Sequence, residues 1–185
     1  MDAYYHLAQK LNTHALGAPA RDEFLEILHM LFTPPEAEVA LHLGWKPEPA
    51  TKIAMAAGVT LEEAIARCES MANKGLVYAY PKREQMQYAL LPTAPGLFEY
   101  PIMIGNLPGV DMERLGQLWN KYYENGWGNE LHGASNNMAR VLPHEGSIAE
   151  SVTVMPFEEA TQYVDAADYI AVGNCPCRVS KKACD

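Results

Sequence analysis

The stretch that most restricts how this chain can fold runs from Thr60 to Leu91. Thr60-Leu61-Glu62-Glu63 is a capping box: a hydroxyl placed to accept the N–H three residues on, and a carboxylate placed to bond the threonine N–H in return. Behind it Leu61, Ala64, Ile65, Cys68 and Met71 recur on one helical face, and Gly75 stops the helix. Leu76–Tyr80 and Met86–Leu91 then read as two strands, with a turn over Pro81–Gln85. A helix feeding directly into a hairpin points to an α+β, mainly helical chain.

The upstream signals agree. Residues 2 to about 15 predict a short helix capped by Asp2, and Leu16–Pro19 a loop. Phe24, Ile27, Leu28 and Leu31 set a second helix within Arg21–Phe32. Thr33-Pro34-Pro35-Glu36 is a second capping box, with proline at the first helical position. It opens a helix to about Leu43 that stops at Gly44. A shorter helix spans about Pro49 to Ala57, ending at Gly58.

Three helices followed by a hairpin is the order of a winged helix. Phe32–Pro92 resembles that family in Gly58-Val-Thr-Leu-Glu-Glu63 and in Met71-Ala-Asn-Lys-Gly-Leu-Val77. The resemblance implies a helix-turn-helix plus hairpin over residues 32–100, preceded by N-terminal helices over 1–31. In a DNA-binding winged helix the third helix would present Arg67 and Lys74, and the wing tip Lys82 and Arg83. The same helix also carries Glu62, Glu63 and Glu69, and the whole chain has a net charge of −9. Three acids against two bases suit a phosphate groove poorly. A protein-docking role is therefore the stronger expectation, and the alternative is a DNA-binding transcriptional regulator whose cysteines sense metal or redox state.

The Pro- and Gly-rich stretch 93–110 reads as a linker or irregular wrap. Asp111 starts an amphipathic helix with Leu115, Leu118, Trp119 and Tyr122 on one face, and Asn125-Gly126 ends it. Gly126 to Asn137 reads as a loop. Arg140–Leu142 and Ser151–Met155 are β-like, and Pro156 opens a helix to about Ala167. Tyr169–Val172 reads as a short strand that closes a linker and α/β segment over 101–174.

That strand leads into Cys175-Pro-Cys177-Arg178-Val-Ser-Lys181-Lys182-Ala-Cys184, expected as a metal-binding loop over 175–185. Three of the four cysteines fall within the last eleven residues. Thiolates are the preferred ligands of iron–sulfur clusters and of structural zinc. Arg178, Lys181 and Lys182 would offset the negative charge of a thiolate site. No signal peptide is visible and no run of 18 apolar residues occurs, so a cytoplasmic protein is expected, where structural disulfides are rare. Cys68 falls on a helix's apolar face, the usual place of a small buried thiol. A fourth ligand would come from elsewhere in the chain, from a second chain in a homodimer, or from beyond Asp185. His132 or His144 would make a Cys3His site, typical of zinc. His6, His14, His29 and His42 form no zinc-enzyme pattern.

The segment 154–185 resembles a group of ferredoxin-like proteins with a winged-helix-like region ahead of 4Fe–4S motifs. The matching residues are Met155-Pro-Phe-Glu-Glu159, Ala166-Ala167, Ile170-Ala-Val172, Cys175-Pro-Cys-Arg178 and Cys184-Asp185. Glu124-Asn-Gly-Trp-Gly128 and Arg140-Val-Leu-Pro143 also match. In that group the pattern runs on to another cysteine and to C-x2-C-x2-C-x3-C motifs, which this sequence lacks. The resemblance implies a 4Fe–4S cluster, a redox protein partner, and a chain cut short of its ferredoxin motifs. No nucleophile elbow, phosphate loop or acid–base set is visible, so an enzyme is the least supported class.

Overall fold

The structure, a computed structural model, describes residues 2–82, 85–133 and 156–184. The expected strands at 140–142 and 151–155, His144 and Arg83 lie outside those residues. Contacts divide the chain into two compact units, one of residues 1–138 with 174–185 and one of residues 139–173. Among the described residues no helix is long and apolar enough to cross a membrane.

The larger unit is mainly helical, with one small antiparallel sheet. Helix α1 (Ala3–Asn12) starts at Asp2, whose Oδ1 accepts from Tyr4 N at 3.3 Å. It stops short of the expected residue 15 because Thr13 and Asn12 turn their side chains onto backbone, Thr13 Oγ1 donating to Lys10 O at 2.7 Å and Asn12 Oδ1 accepting from Ala18 N at 2.7 Å. Helix α2 (Asp22–Leu31) buries Phe24, Ile27, Leu28 and Leu31, the four residues its spacing singles out. Helix α3 (Pro34–Ala40) starts with Thr33 N donating to Glu36 Oε2 at 2.7 Å. It ends before Leu43 because the Lys10 ammonium takes up the carbonyls of Leu41 and Leu43, at 2.6 and 2.5 Å.

Strand β1 (Glu48–Pro49), unmarked in the sequence by any alternating pattern, leads into helix α4 (Ala50–Ala57), which ends at Gly58 with φ +66°. Helix α5 (Leu61–Asn73) is capped as expected: Thr60 Oγ1 accepts from Glu63 N at 3.2 Å, and Glu63 Oε2 accepts from Thr60 N at 2.9 Å. Its inner face holds Ala64, Cys68 and Met71. Leu61 and Ile65, read as part of that face, are 44% and 41% exposed. Strands β2 (Val77–Lys82) and β3 (Gln85–Leu90) pair from Val77↔Leu90 to Lys82↔Gln85. Pro81, Lys82 and Gln85, expected in the turn, belong to the strands. Pro81 can join β2 because the order β1-β3-β2 makes β2 an edge strand.

Of the two readings of 93–110, the irregular wrap fits and the linker does not. Thr93–Leu97 makes an irregular turn with a cis Ala94–Pro95 bond, helix α6 spans Glu99–Ile104, and Thr93, Ala94, Leu97, Ile102 and Leu107 are buried. Helix α7 (Met112–Tyr122) is capped by Asp111, which accepts from Arg114 N at 3.0 Å, and it buries the four residues expected. After a kink at Gly126 the chain forms helix α8 (Gly128–Gly133), where a loop is expected. The rings of Phe24, Trp119, Tyr122 and Trp127 pack together, with Phe24 stacked on Tyr122 at 4.9 Å and Tyr122 on Trp127 at 5.5 Å. Aromatic packing of this kind adds to ordinary area burial.

In the smaller unit, helix α9 (Phe157–Asp165) starts after Pro156 as expected. Residues 169–172 form no strand: they pair with no other segment among the described residues.

Candidate thiol site

The cysteine segment is not a loop. Pro176–Lys182 forms helix α10, with proline in its first turn and Cys175 as the residue before it. Proline fits there because its missing N–H is one a helix start leaves unpaired in any case.

Hydrogen bonds and close packing hold this segment to α6 and α7. Asn174 N donates to Met103 O at 3.2 Å. Asn174 also covers Gly105, where the Asn174 Nδ2 leaves no space for a Cβ and φ is +90°. Ser180, buried, donates its hydroxyl to Gly116 O at 3.2 Å, and Gln117 Nε2 donates to Ala183 O at 3.1 Å. Gly116 permits this approach: a Cβ there would meet Ala183 Cβ at 2.9 Å and Ser180 Cα at 3.3 Å.

Cys175, Cys177 and Cys184 are all free and exposed. Cys184 Sγ lies 3.4 Å from Ser180 O as a donor. Arg178, Lys181 and Lys182 are exposed along the same helix. The donor chemistry suits a soft metal or cluster, and the cations suit its charge. The arrangement does not. Cys184 stands seven positions after Cys177, about 10 Å along a helix at 1.5 Å per residue. Among the described residues no three His, Cys, Asp or Glu side chains gather in a metal-holding group. His132, offered as a fourth ligand, shares a 3.0 Å hydrogen bond with Tyr123 Oη. Cys68 is fully buried on α5, and burial pushes its thiol up to about 12, which keeps it protonated and inert.

The residues expected to meet DNA are placed differently from one another. Arg67 pairs with Glu63 at 3.4 Å. Lys74 is drawn inward, where its Nζ lies 2.5 Å from Glu36 Oε2 and donates to Leu31 O at 3.1 Å. Glu36 is only 3% exposed and also accepts from Ser70 Oγ at 2.7 Å. Burial raises its carboxyl, but bonds from Lys74, Thr33 N and Ser70 outweigh that and hold it below the usual carboxylate range. Lys82 is exposed at the end of β2.

Two features carry little sequence signal. One is a groove of 290 Å³ between α5 and the hairpin, lined by Leu61, Ile65, Met86 and Tyr88, whose hydroxyl bonds Glu69. The other is a cleft of 330 Å³ that Cys177 borders together with Phe98, Trp119, Tyr123 and Trp127. A glycine inside a strongly amphipathic helix, as at Gly116, is the one hint in the sequence that another segment comes close there.

No family model matches the chain, no curated protein matches it, and no solved structure matches it.

Proposed function

We propose that this chain is an iron–sulfur redox protein whose N-terminal part, a winged helix, docks a protein partner. The observation that carries the reading is the cysteine segment: three free, exposed thiols within eleven residues, interleaved with Arg178, Lys181 and Lys182 and fixed to the body by Asn174, Ser180 and Ala183. Cysteines 175 and 177 start the ligand set. Cys184 joins them only if α10 gives up its helical turns, and any further ligand comes from outside the described residues.

The order α3, β1, α4, α5, β2, β3, with β3 central in the sheet, supports the winged-helix assignment. Its outer face supports a protein partner over DNA. Leu61, Glu62, Glu63 and Ile65 are exposed, while Arg67 and Lys74 bond to carboxylates. An acidic and apolar face repels phosphate and suits a protein surface.

Anaerobic reconstitution with ferrous iron and sulfide tests the reading. The expected result is broad visible absorption with iron and sulfide bound in equal amounts, and a loss of most iron in Cys175→Ser and Cys177→Ser. Binding of zinc alone, or iron content unchanged in both variants, overturns it.

A further inference from the structure

We infer that the cleft beside Cys177 is a binding site for a small, neutral, planar heteroaromatic molecule with hydrogen-bonding groups along one edge. The inference does not rest on cluster binding.

The cleft measures 330 Å³, at the small end of ligand pockets, which run roughly from 300 to 1,000 Å³. Four of its walls are aromatic: Phe98, Trp119, Tyr123 and Trp127. They stand at steep angles to one another, Phe98 to Trp119 at 69° and Tyr123 to Trp127 at 90°. Tyr123 is exposed and Phe98 half-buried, so these two rings are open to a flat occupant, while Trp119 and Trp127, nearly closed off, form the back of the cleft. The polar lining is mixed. Glu99 accepts from Gly96 N through Oε2 at 2.7 Å and keeps acceptor capacity, Asn120 Nδ2 donates to Glu124 at 3.0 Å so that its carbonyl accepts, and Lys181 brings a cation. A carboxylate beside an ammonium favours a neutral ligand with donors and acceptors over an anion.

A second observation points to the same corner. The buried side-chain polar atoms without a hydrogen-bond partner, among the described residues, are Trp119 Nε1, Trp127 Nε1 and Thr93 Oγ1. The two indoles border the cleft with centroids 5.5 Å apart, and Thr93 adjoins Ala94 in its lining. Buried unpaired donors are uncommon, and two of these three belong to side chains that line the cleft. Both N–H groups are closed to solvent, so pairing either requires its ring to turn slightly. Indole emission reports such a turn. Cys177 borders this cleft and Cys175 does not, so an occupant would cover one thiol and leave the other open.

That difference supplies the test. The reduced, metal-free 185-residue chain is alkylated with iodoacetamide, and each cysteine is followed by fragment mass spectrometry, with and without lumichrome, a neutral flat tricycle. Lumichrome should slow Cys177 at least fivefold and Cys175 less than twofold, and its own fluorescence anisotropy should rise on binding. Leu131→Trp, which fills the cleft from a half-buried position, should abolish both effects. Tyr123→Ala, at an exposed wall residue, should weaken both and serves if the first variant does not fold. Equal slowing of both cysteines, equal protection by the non-planar cyclohexanecarboxamide, or no rise in anisotropy overturns the inference. Because metal-free protein is used, failure to bind a cluster and failure to bind lumichrome are separate results.

Discussion

Replacing Gly116 by alanine sets two energies of opposite sign against each other, in different parts of the molecule. Within α7 the change is favourable, since glycine in a helix interior is worse than alanine by about 0.5–1 kcal/mol. Across the contact it is not. The new methyl would lie 2.9 Å from Ala183 Cβ, where carbon atoms prefer roughly 3.5–4 Å, so α10 must move outward by nearly an ångström. That movement breaks the bonds from Ser180 to Gly116 O and from Gln117 to Ala183 O. Each contributes about 0.5–1.5 kcal/mol, so docking should weaken by roughly 1–3 kcal/mol. Hydrogen exchange reads the two effects separately. Amides of 179–184 should exchange about 5- to 150-fold faster, the same energy expressed as an equilibrium ratio. Amides of α2 and α7 should lose less protection than those of α10, and the urea midpoint should stay level or fall, because the loss at the contact equals or exceeds the gain within the helix. If the α10 amides are unchanged, or the whole unit loses protection together, the close packing of α10 on Gly116 is not what holds the segment.

Other outcomes follow from the buried groups. Lys74→Met leaves the Glu36 carboxylate without its cation and should cost roughly 2–4 kcal/mol in urea unfolding. Glu36 also makes stability depend on pH. Its folded value lies below its unfolded one, so the contribution is complete above the unfolded carboxyl range and fades as pH falls through the lower folded value; Glu36→Gln should flatten that acid limb. In the metal-free chain a thiol reagent at pH 8 should find three reactive cysteines, and a fourth, Cys68, only in denaturant. Reaction of all four in the native protein would show that α5 does not bury Cys68.

The helices with local start and stop signals were readable in the sequence. The Asp2, Thr60 and Asp111 caps need only neighbours a few residues away, and the inner face of α7 follows from spacing alone. What could not be read depends on distant partners. Leu61 and Ile65 keep the helical spacing of Cys68, but nothing packs over them, so the same pattern yields an exposed groove. The stretch 93–110 has a linker's composition, yet its few apolar residues are enough to tie it into the core. The cysteine segment was legible as chemistry and not as geometry: C-x-C-x6-C names the donors, while the helix that separates them depends on Gly116 and Ser180, 64 positions apart. The aromatic cleft draws on α6, α7, α8 and α10 together, and no single stretch of sequence announces it.

The sheet's borders limit how this protein can associate. Both edge strands carry a proline: β1 is only two residues long and includes Pro49, and β2 includes Pro81 near its tip. A proline offers no N–H, so neither border presents an unbroken row of donors and acceptors for another strand to zip onto. Backbone-to-backbone extension of the sheet is hindered along the two-residue β1 and at the tip of β2. Association at those two places is left to side chains, and so to surfaces that can be changed one residue at a time.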